Sequence, residues 1–486
     1  MSMCKCWIIG LVWAVILTSE ADTGGYFSME EYVTMQAQTP PEVLALLANT
    51  EDISVLCTLL KQPNCTPEIL TTIFKKFAEK KSDEADVVFS LISRHPKVPS
   101  ELLVYLAYSS DIWVRRAVGW NSKTPGKTLR TLSQDPNEQV RSAVGRNANT
   151  PLEILVQLAQ DPSYAVKMGV AVNPRLSLEL LQKLGQIDEE LKSQVASNSS
   201  LSLEYFTKLS KDPSEQVRRA IVSNFTTPVN ILLSLAKDPS EQVRCLIARN
   251  LNTPVNTLLE LTGDTAPVRA NIAANPNITP DVLQKLLELG DFKQSLEVRV
   301  GIASNPNIPP EYLSQLAGDP HVGVKICLAN NPKTPPQILA TLASDEIIIA
   351  LKKARSREVP YVGAESRLIE EVICAVAMNP HTPAERLERL AEEDYQFQCL
   401  VAANPNTPLK ILQKFAKEPR FMWIRESVAS NPRASAKILD DLAEDSAPPI
   451  RYQAVLHANT SREALTKLSQ DLNQYIRLVA QKRLAN

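Results

Sequence analysis

The sequence predicts an all-α fold, an α-solenoid of about seventeen two-helix repeats of about 26 residues each. Three observations predict it. First, a turn motif recurs as NPNITP at Asn275, NPNIPP at Asn305, NPKTP at Asn331, NPHTP at Asn379 and NPNTP at Asn404. Second, related turns at Asn121, Asn147, Asn173, Asn198, Asn224, Asn250, Asn431 and His457 keep a spacing of 25–27 residues, apart from one 30-residue step after Asn275. The heptapeptide DPSEQVR occurs twice verbatim, from Asp212 and from Asp238. Third, the segments between turns, such as LEILVQLAQ and VRCLIARN, place apolar residues three and four apart, which makes one buried stripe per helix.

Taken in order, residues 1–28 come first. Lys5, the apolar run WIIGLVWAVIL and Thr18-Ser19-Glu20-Ala21 have the layout of a secretory signal, in a run too short to span a bilayer comfortably. Met29-Glu30-Glu31-Tyr32 reads equally as a native start, and dispersed cysteines suit a reducing compartment. The expectation is a cytoplasmic chain, with export or membrane attachment through residues 1–21 as the alternative. A continuous array then fills residues 29–486, with early units marked by Pro40, Pro67 and Pro99. Each unit carries two helix-start signals. Thr or Ser before Pro puts a side-chain acceptor at the N-cap and a residue without N–H at the first helical position. Thr150 with Glu153, and Thr382 with Glu385, complete capping boxes. Asp-Pro at Asp135, Asp161, Asp212, Asp238 and Asp319 ends the first helix and caps the second. Helices of about ten residues cannot bury both stripes alone, so neighbouring units must stack. Between Asn331 and Asn379 the interval is 48 residues, and 356–378 reads as a degenerate repeat in which REVPYVGAESRLIEEV forms one longer, irregular element.

Composition excludes more than it assigns. Lys plus Arg (52) nearly cancels Asp plus Glu (54), so no overall charge draws the chain to nucleic acid or an acidic membrane. The eight cysteines form no CxxC pair, and Cys245, Cys327, Cys374 and Cys399 fall where other units carry small apolar residues, so burial is expected of them. The four histidines (His95, His321, His381, His457) are scattered, and no nucleophile triad, paired metal ligands or phosphate-cradling glycine loop assembles. No cofactor and no metal are expected, and the chain reads as a non-enzyme.

The NP-x-TP turn, the Leu-x-x-Leu-Ala helix, Asp-Pro and the following Val-Arg resemble the leucine-rich repeat variant family and are similar to HEAT repeats. The resemblance covers most of the chain. It implies a right-handed superhelix. Some relatives carry an iron–sulfur cluster on an N-terminal cysteine cluster, but Cys4 and Cys6 stand only two apart with Cys57 and Cys65 distant, which makes no compact ligand motif.

A basic residue recurs in nearly every unit, several of them six residues after an acid: Asp135 and Arg141, Asp161 and Lys167, Asp212 and Arg218, Asp238 and Arg244, Asp319 and Lys325, Asp445 and Arg451, Asp471 and Arg477. One reading is a cationic stripe along a phosphate backbone. The favoured reading is a structural ladder, each cation bridging a carboxylate and helix-end carbonyls of its own or the adjacent unit. Recognition then falls to the variable residues just before the basic one, where Trp113, Tyr164, Trp423 and Tyr475 are the candidate partner-binding side chains. The expected function is a protein-binding repeat scaffold. A nucleic-acid-binding repeat protein is the alternative, and a HEAT-like lyase or glycosylase comes third. A protein partner is expected, nucleic acid less so, and a membrane only through a retained apolar N-terminal segment.

Overall fold

In the computed structural model the structure describes residues 28–80, 82–288, 295–357 and 364–485, and every regular element among them is a helix. The signal-like segment 1–21, with Cys4 and Cys6, lies outside the described residues, as do 358–363 of the degenerate repeat. The chain is an α-solenoid and divides into two compact units: Leu44–Ile338, and Leu339–Asn486 together with the N-terminal segment up to Val43.

Within the first unit, short first helices alternate with slightly longer second helices, as in Leu152–Leu158 then Tyr164–Ala171, and Val229–Leu235 then Glu241–Arg249. The first helix has 7 residues, just under two turns and less than the ten residues expected. It buries Ile154, Leu155 and Leu158, and the second helices bury triplets such as Val217, Ile221 and Val222. An isolated helix this short is unstable in water. Its stripe must therefore be covered by adjacent units, and successive second helices pack side by side to do it. Gly169 shows how close they come: a Cβ there would lie 2.7 Å from the Ser142 carbonyl oxygen of the preceding repeat.

The start signals work differently from the sequence expectation. Thr150 and Thr382 do not cap; their hydroxyls donate to Val144 and Val376 carbonyls at 2.6 and 2.5 Å, closing the second helix behind them. The first helix begins after the proline, at Leu152 and Ala384, and Glu153 pairs with Arg130 rather than completing a capping box. The buried hydroxyl takes the orphan carbonyl because leaving it unmet costs more than leaving a solvent-facing N–H uncapped. Asp-Pro also starts its helix late. Asp212 accepts the Ser214 N–H at 3.0 Å, and Ser214 in turn caps Glu215–Ser223. Thr66 is an exception that does cap its helix, accepting from the Ile69 N–H.

The second unit repeats the pattern from Ala384 onward around Leu387, Leu390, Phe397, Leu412 and Leu439. Where one irregular element was expected, it has two long helices, Asp345–Arg357 and Ala364–Met378, on either side of 358–363. Ser28 and Glu31 close a genuine capping box at the head of the helix Met29–Met35. That helix lies against the last repeats of its own unit. The Tyr32 hydroxyl donates to Glu426 at 2.6 Å and accepts from the Gln453 amide at 2.9 Å. Tyr452 meets the Thr39 hydroxyl at 3.0 Å, the Tyr475 hydroxyl donates to Glu30 at 3.0 Å, and Lys482 pairs with Glu42 at 2.5 Å. Burial pushes the Glu426 carboxyl above its ordinary range, partly offset by the Tyr32 hydrogen bond.

Candidate binding face and the ladders behind it

Two polar ladders hold the repeats in register. The first is ionic. Six of the arginines fork onto the aspartate of the next repeat while also holding backbone carbonyls of their own. Arg218 reaches Asp238 through Nε at 2.7 Å and Nη2 at 3.0 Å, while Nη1 donates to the carbonyls of Asp212 at 2.8 Å and Pro213 at 3.0 Å. The same fork joins Arg115 to Asp135, Arg141 to Asp161, Arg244 to Asp264, Arg425 to Asp445 and Arg451 to Asp471. Arg299 reaches Asp319 at 2.6 Å, and Lys192 reaches Asp212 at 3.2 Å. So for Arg141, Arg218, Arg244 and Arg451 the acid six residues before supplies a backbone carbonyl, and the carboxylate comes from twenty residues ahead; Arg115 takes the Ser109 carbonyl and Arg425 that of Glu418 instead. At the array's end Arg477 holds the carbonyls of Asp471 and Leu472. Lys167 contributes its charge beside Asp161, and Lys325 sits half-buried on Val322–Asn330. The Arg244 guanidinium holds the Asp264 carboxyl below the usual range. At Asp161 burial pushes upward, and Arg141 with the Ser163 N–H outweighs it.

The second ladder escaped sequence reasoning, which read the recurrent asparagine only as a turn marker. Its amide donates to two carbonyls of the preceding repeat and its oxygen accepts the N–H two residues on. Asn224 bonds the carbonyls of Ala196 at 2.9 Å and Asn198 at 2.8 Å, and accepts from Thr226 at 3.0 Å. Asn147, Asn173, Asn198, Asn305, Asn331, Asn404 and Asn431 do the same. The signal was present in sequence: an amide is an uncharged side chain that offers two N–H donors and an acceptor oxygen at once, the set this position uses. His95 and His457 stand at this position, each with one ring nitrogen on a preceding carbonyl and the other accepting an N–H. Arg483 fills the last carbonyl pair, Val455 and His457.

With those positions committed, the second helices leave three free, at two before, one after and five after the ladder cation. In Ile112–Trp120 they hold Trp113, Arg116 and Trp120; Trp113 is 51% exposed and Trp120 57%. The Arg116 guanidinium lies 5.3 Å from the Trp113 ring centre, and Arg146 of the next repeat 6.0 Å from that of Trp120. Tyr105, on the preceding helix Ser100–Leu106, packs edge-on against Phe74. Tyr164 is 39% exposed, its hydroxyl donating to Asp188 at 2.9 Å. Trp423 is half-buried on the core beside Phe421, which stacks on Tyr395. Tyr475 is only 4% exposed and already engaged by Glu30. Cys245, Cys327, Cys374 and Cys399 are half-buried rather than fully buried, with Cys374 and Cys399 packed against the core of the second unit. Among the described residues no group of three His, Cys, Asp or Glu is placed to hold a metal ion, and no helix is long and apolar enough to cross a membrane.

These features define a helical-repeat solenoid whose units are joined by Arg–Asp and Asn ladders. Residues 138–163 match the family described as leucine rich repeat variant. Among solved structures, a leucine-rich repeat variant protein matches at 26% identity over 46% of this chain and 87% of that one, with a TM-score of 0.30. Yeast importin-beta matches at 13% identity over 95% of this chain and 65% of that one, TM-score 0.32, so this chain spans less than two thirds of it. UNC-45 from Drosophila melanogaster matches at 13% identity over 91% of this chain and 74% of that one, TM-score 0.22. No curated protein sequence matches.

Proposed function

We propose that the chain is a protein-binding repeat scaffold whose partner lies across the free positions of the second helices, with no catalytic step. The observation that carries this is the neutralised cation row. The ladder arginines that give the sequence its basic stripe are spent on carboxylates of the next repeat, as Arg218 is on Asp238, so they offer no track for a phosphate backbone. What stays exposed on Ile112–Trp120 is Ile112, Trp113, Trp120 and the single cation Arg116, an aromatic and arginine composition typical of a protein hot spot.

The test is a pull-down from host lysate with a chain starting at Met29, with and without nuclease, followed by mass spectrometry. Protein partners that survive nuclease and are lost on Trp113→Ala with Trp120→Ala support the scaffold. Recovery that depends wholly on nucleic acid sinks it.

A further inference from the structure

The scaffold reading leaves open what kind of protein segment the face takes, and the molecule itself contains one occupied copy. The helix Met29–Met35 is held by hydrogen bonds to Glu426, Gln453 and Tyr475 and by the Tyr452 ring edge-on against Tyr32, while Lys482 pairs with Glu42 of the following helix Pro41–Leu47. Counted from the ladder arginines Arg425, Arg451 and Arg477, three of the four residues against this helix fall at the free positions, Glu426 and Tyr452 one after and Tyr475 two before, and Lys482, five after, holds the helix that follows. The free edge of the second helices is thus a helix-docking surface, and in the last repeats it holds a helix with two acids in its first turn followed by an aromatic.

The same positions in three early repeats read Trp113, Arg116, Trp120; then Gln139, Ser142, Arg146; then Ala165, Met168, Val172. This is an aromatic and cationic half beside an apolar half. Arg116 and Arg146 have no carboxylate partner among the described residues and lie over tryptophan rings, a placement that dehydrates their charge on one side. The row turns acidic one repeat further on, at Glu190. A phosphate backbone would need the cations to continue, whereas a short segment needs them only at one end. With packed helices about 8–10 Å apart, three repeats span roughly 25 Å, the length of a helix of about sixteen residues at about 1.5 Å per residue.

Resting on the scaffold reading, we propose that the face built by Trp113, Arg116, Trp120, Arg146 and Met168 docks an amphipathic helix from a protein partner, with its acidic residues on Arg116 and Arg146 and its apolar stripe on the two tryptophans and Met168. The charge comes from the unpaired guanidiniums, and the helical form from the occupied copy of the surface.

The experiment displays a library of sixteen-residue peptides and selects it on the full chain from Met29, on Arg116→Glu/Arg146→Glu, and on Trp113→Ala/Trp120→Ala, each first checked for unchanged helical circular dichroism and thermal midpoint. The expected result is enrichment of Glu and Asp with apolar residues at three- and four-residue spacing, inverting to Lys and Arg on the charge-reversed variant, and at least tenfold weaker recovery on the alanine variant. Peptides without helical spacing, without an acidic preference, or with a preference that survives charge reversal overturn the proposal, as does failure to enrich any peptide. A lysate partner that depends on Trp113 but is not displaced by the selected acidic helices leaves the scaffold standing and removes only this inference.

Discussion

Asp238→Ala isolates one rung of the ionic ladder. The carboxylate is almost wholly buried and receives three N–H donors: Arg218 Nε at 2.7 Å, Arg218 Nη2 at 3.0 Å and the Ser240 amide at 2.9 Å. Truncation leaves the Arg218 guanidinium, itself only 11% exposed at its side chain, facing an apolar gap between two repeats. Breaking a buried pair by removing one partner costs about 3–5 kcal/mol. Arg218 keeps its carbonyl contacts to Asp212 and Pro213, so the lower end applies, about 3 kcal/mol. Arrays of this kind unfold in segments. The assay is therefore amide hydrogen exchange across residues 203–261 together with urea unfolding followed by circular dichroism. Protection should fall most in the helices Glu215–Ser223 and Glu241–Arg249. Arg218→Met with Asp238→Leu should recover much of the loss, because removing both charges leaves none stranded. A single-mutant cost below about 1 kcal/mol, the range of exposed surface pairs, or additivity of Arg218→Met and Asp238→Leu would refute the coupling.

Three further outcomes follow from the same geometry. Asn224→Ala should cost about 2–3 kcal/mol by stranding the carbonyls of Ala196 and Asn198, while Asn224→His should cost far less, since His457 already serves that position; urea midpoints compare them. Burial holds the His457 imidazole below its ordinary pKa, so the folded state binds fewer protons than the unfolded one. The stability it contributes is present above pH about 6.5 and is lost as pH falls through the folded value. His457→Asn should flatten that part of the pH–stability curve measured between pH 4 and 8. Tyr32→Phe removes the donor to Glu426, which is then buried with no phenol against it. The Met29–Met35 helix should loosen, read as faster limited proteolysis between residues 36 and 40, with the Leu44–Ile338 unit unchanged in hydrogen exchange.

The repeat length, the helical class and the recurring acids and bases of the ionic ladder were legible in the sequence because each is a local property repeated many times. Apolar spacing declares a helix, and an acid and a base recurring in step declare that they neutralise each other. The same local logic misassigned Thr150 and Thr382. It gave their hydroxyls to the N–H groups nearest in sequence, when packing had put the Val144 and Val376 carbonyls in greater need. It likewise left the asparagines without a role, since their partners lie 25–32 residues back, in another repeat.

Which free positions stay free was beyond any local signal. Trp113, Trp423 and Tyr475 occupy the same place in their repeats, two before the basic residue. Trp113 is open to solvent, Trp423 is packed beside Phe421, and Tyr475 is covered by a helix from the opposite end of the chain. The sequence by itself determined the unit, because a helix shorter than two turns has only one way to hide its stripe, against a copy of itself. The tertiary structure alone decided the exposure of each repeated position. Exposure depends on which distant segment arrives to cover it, and in the last repeats that segment is the Met29–Met35 helix, some four hundred residues away in sequence.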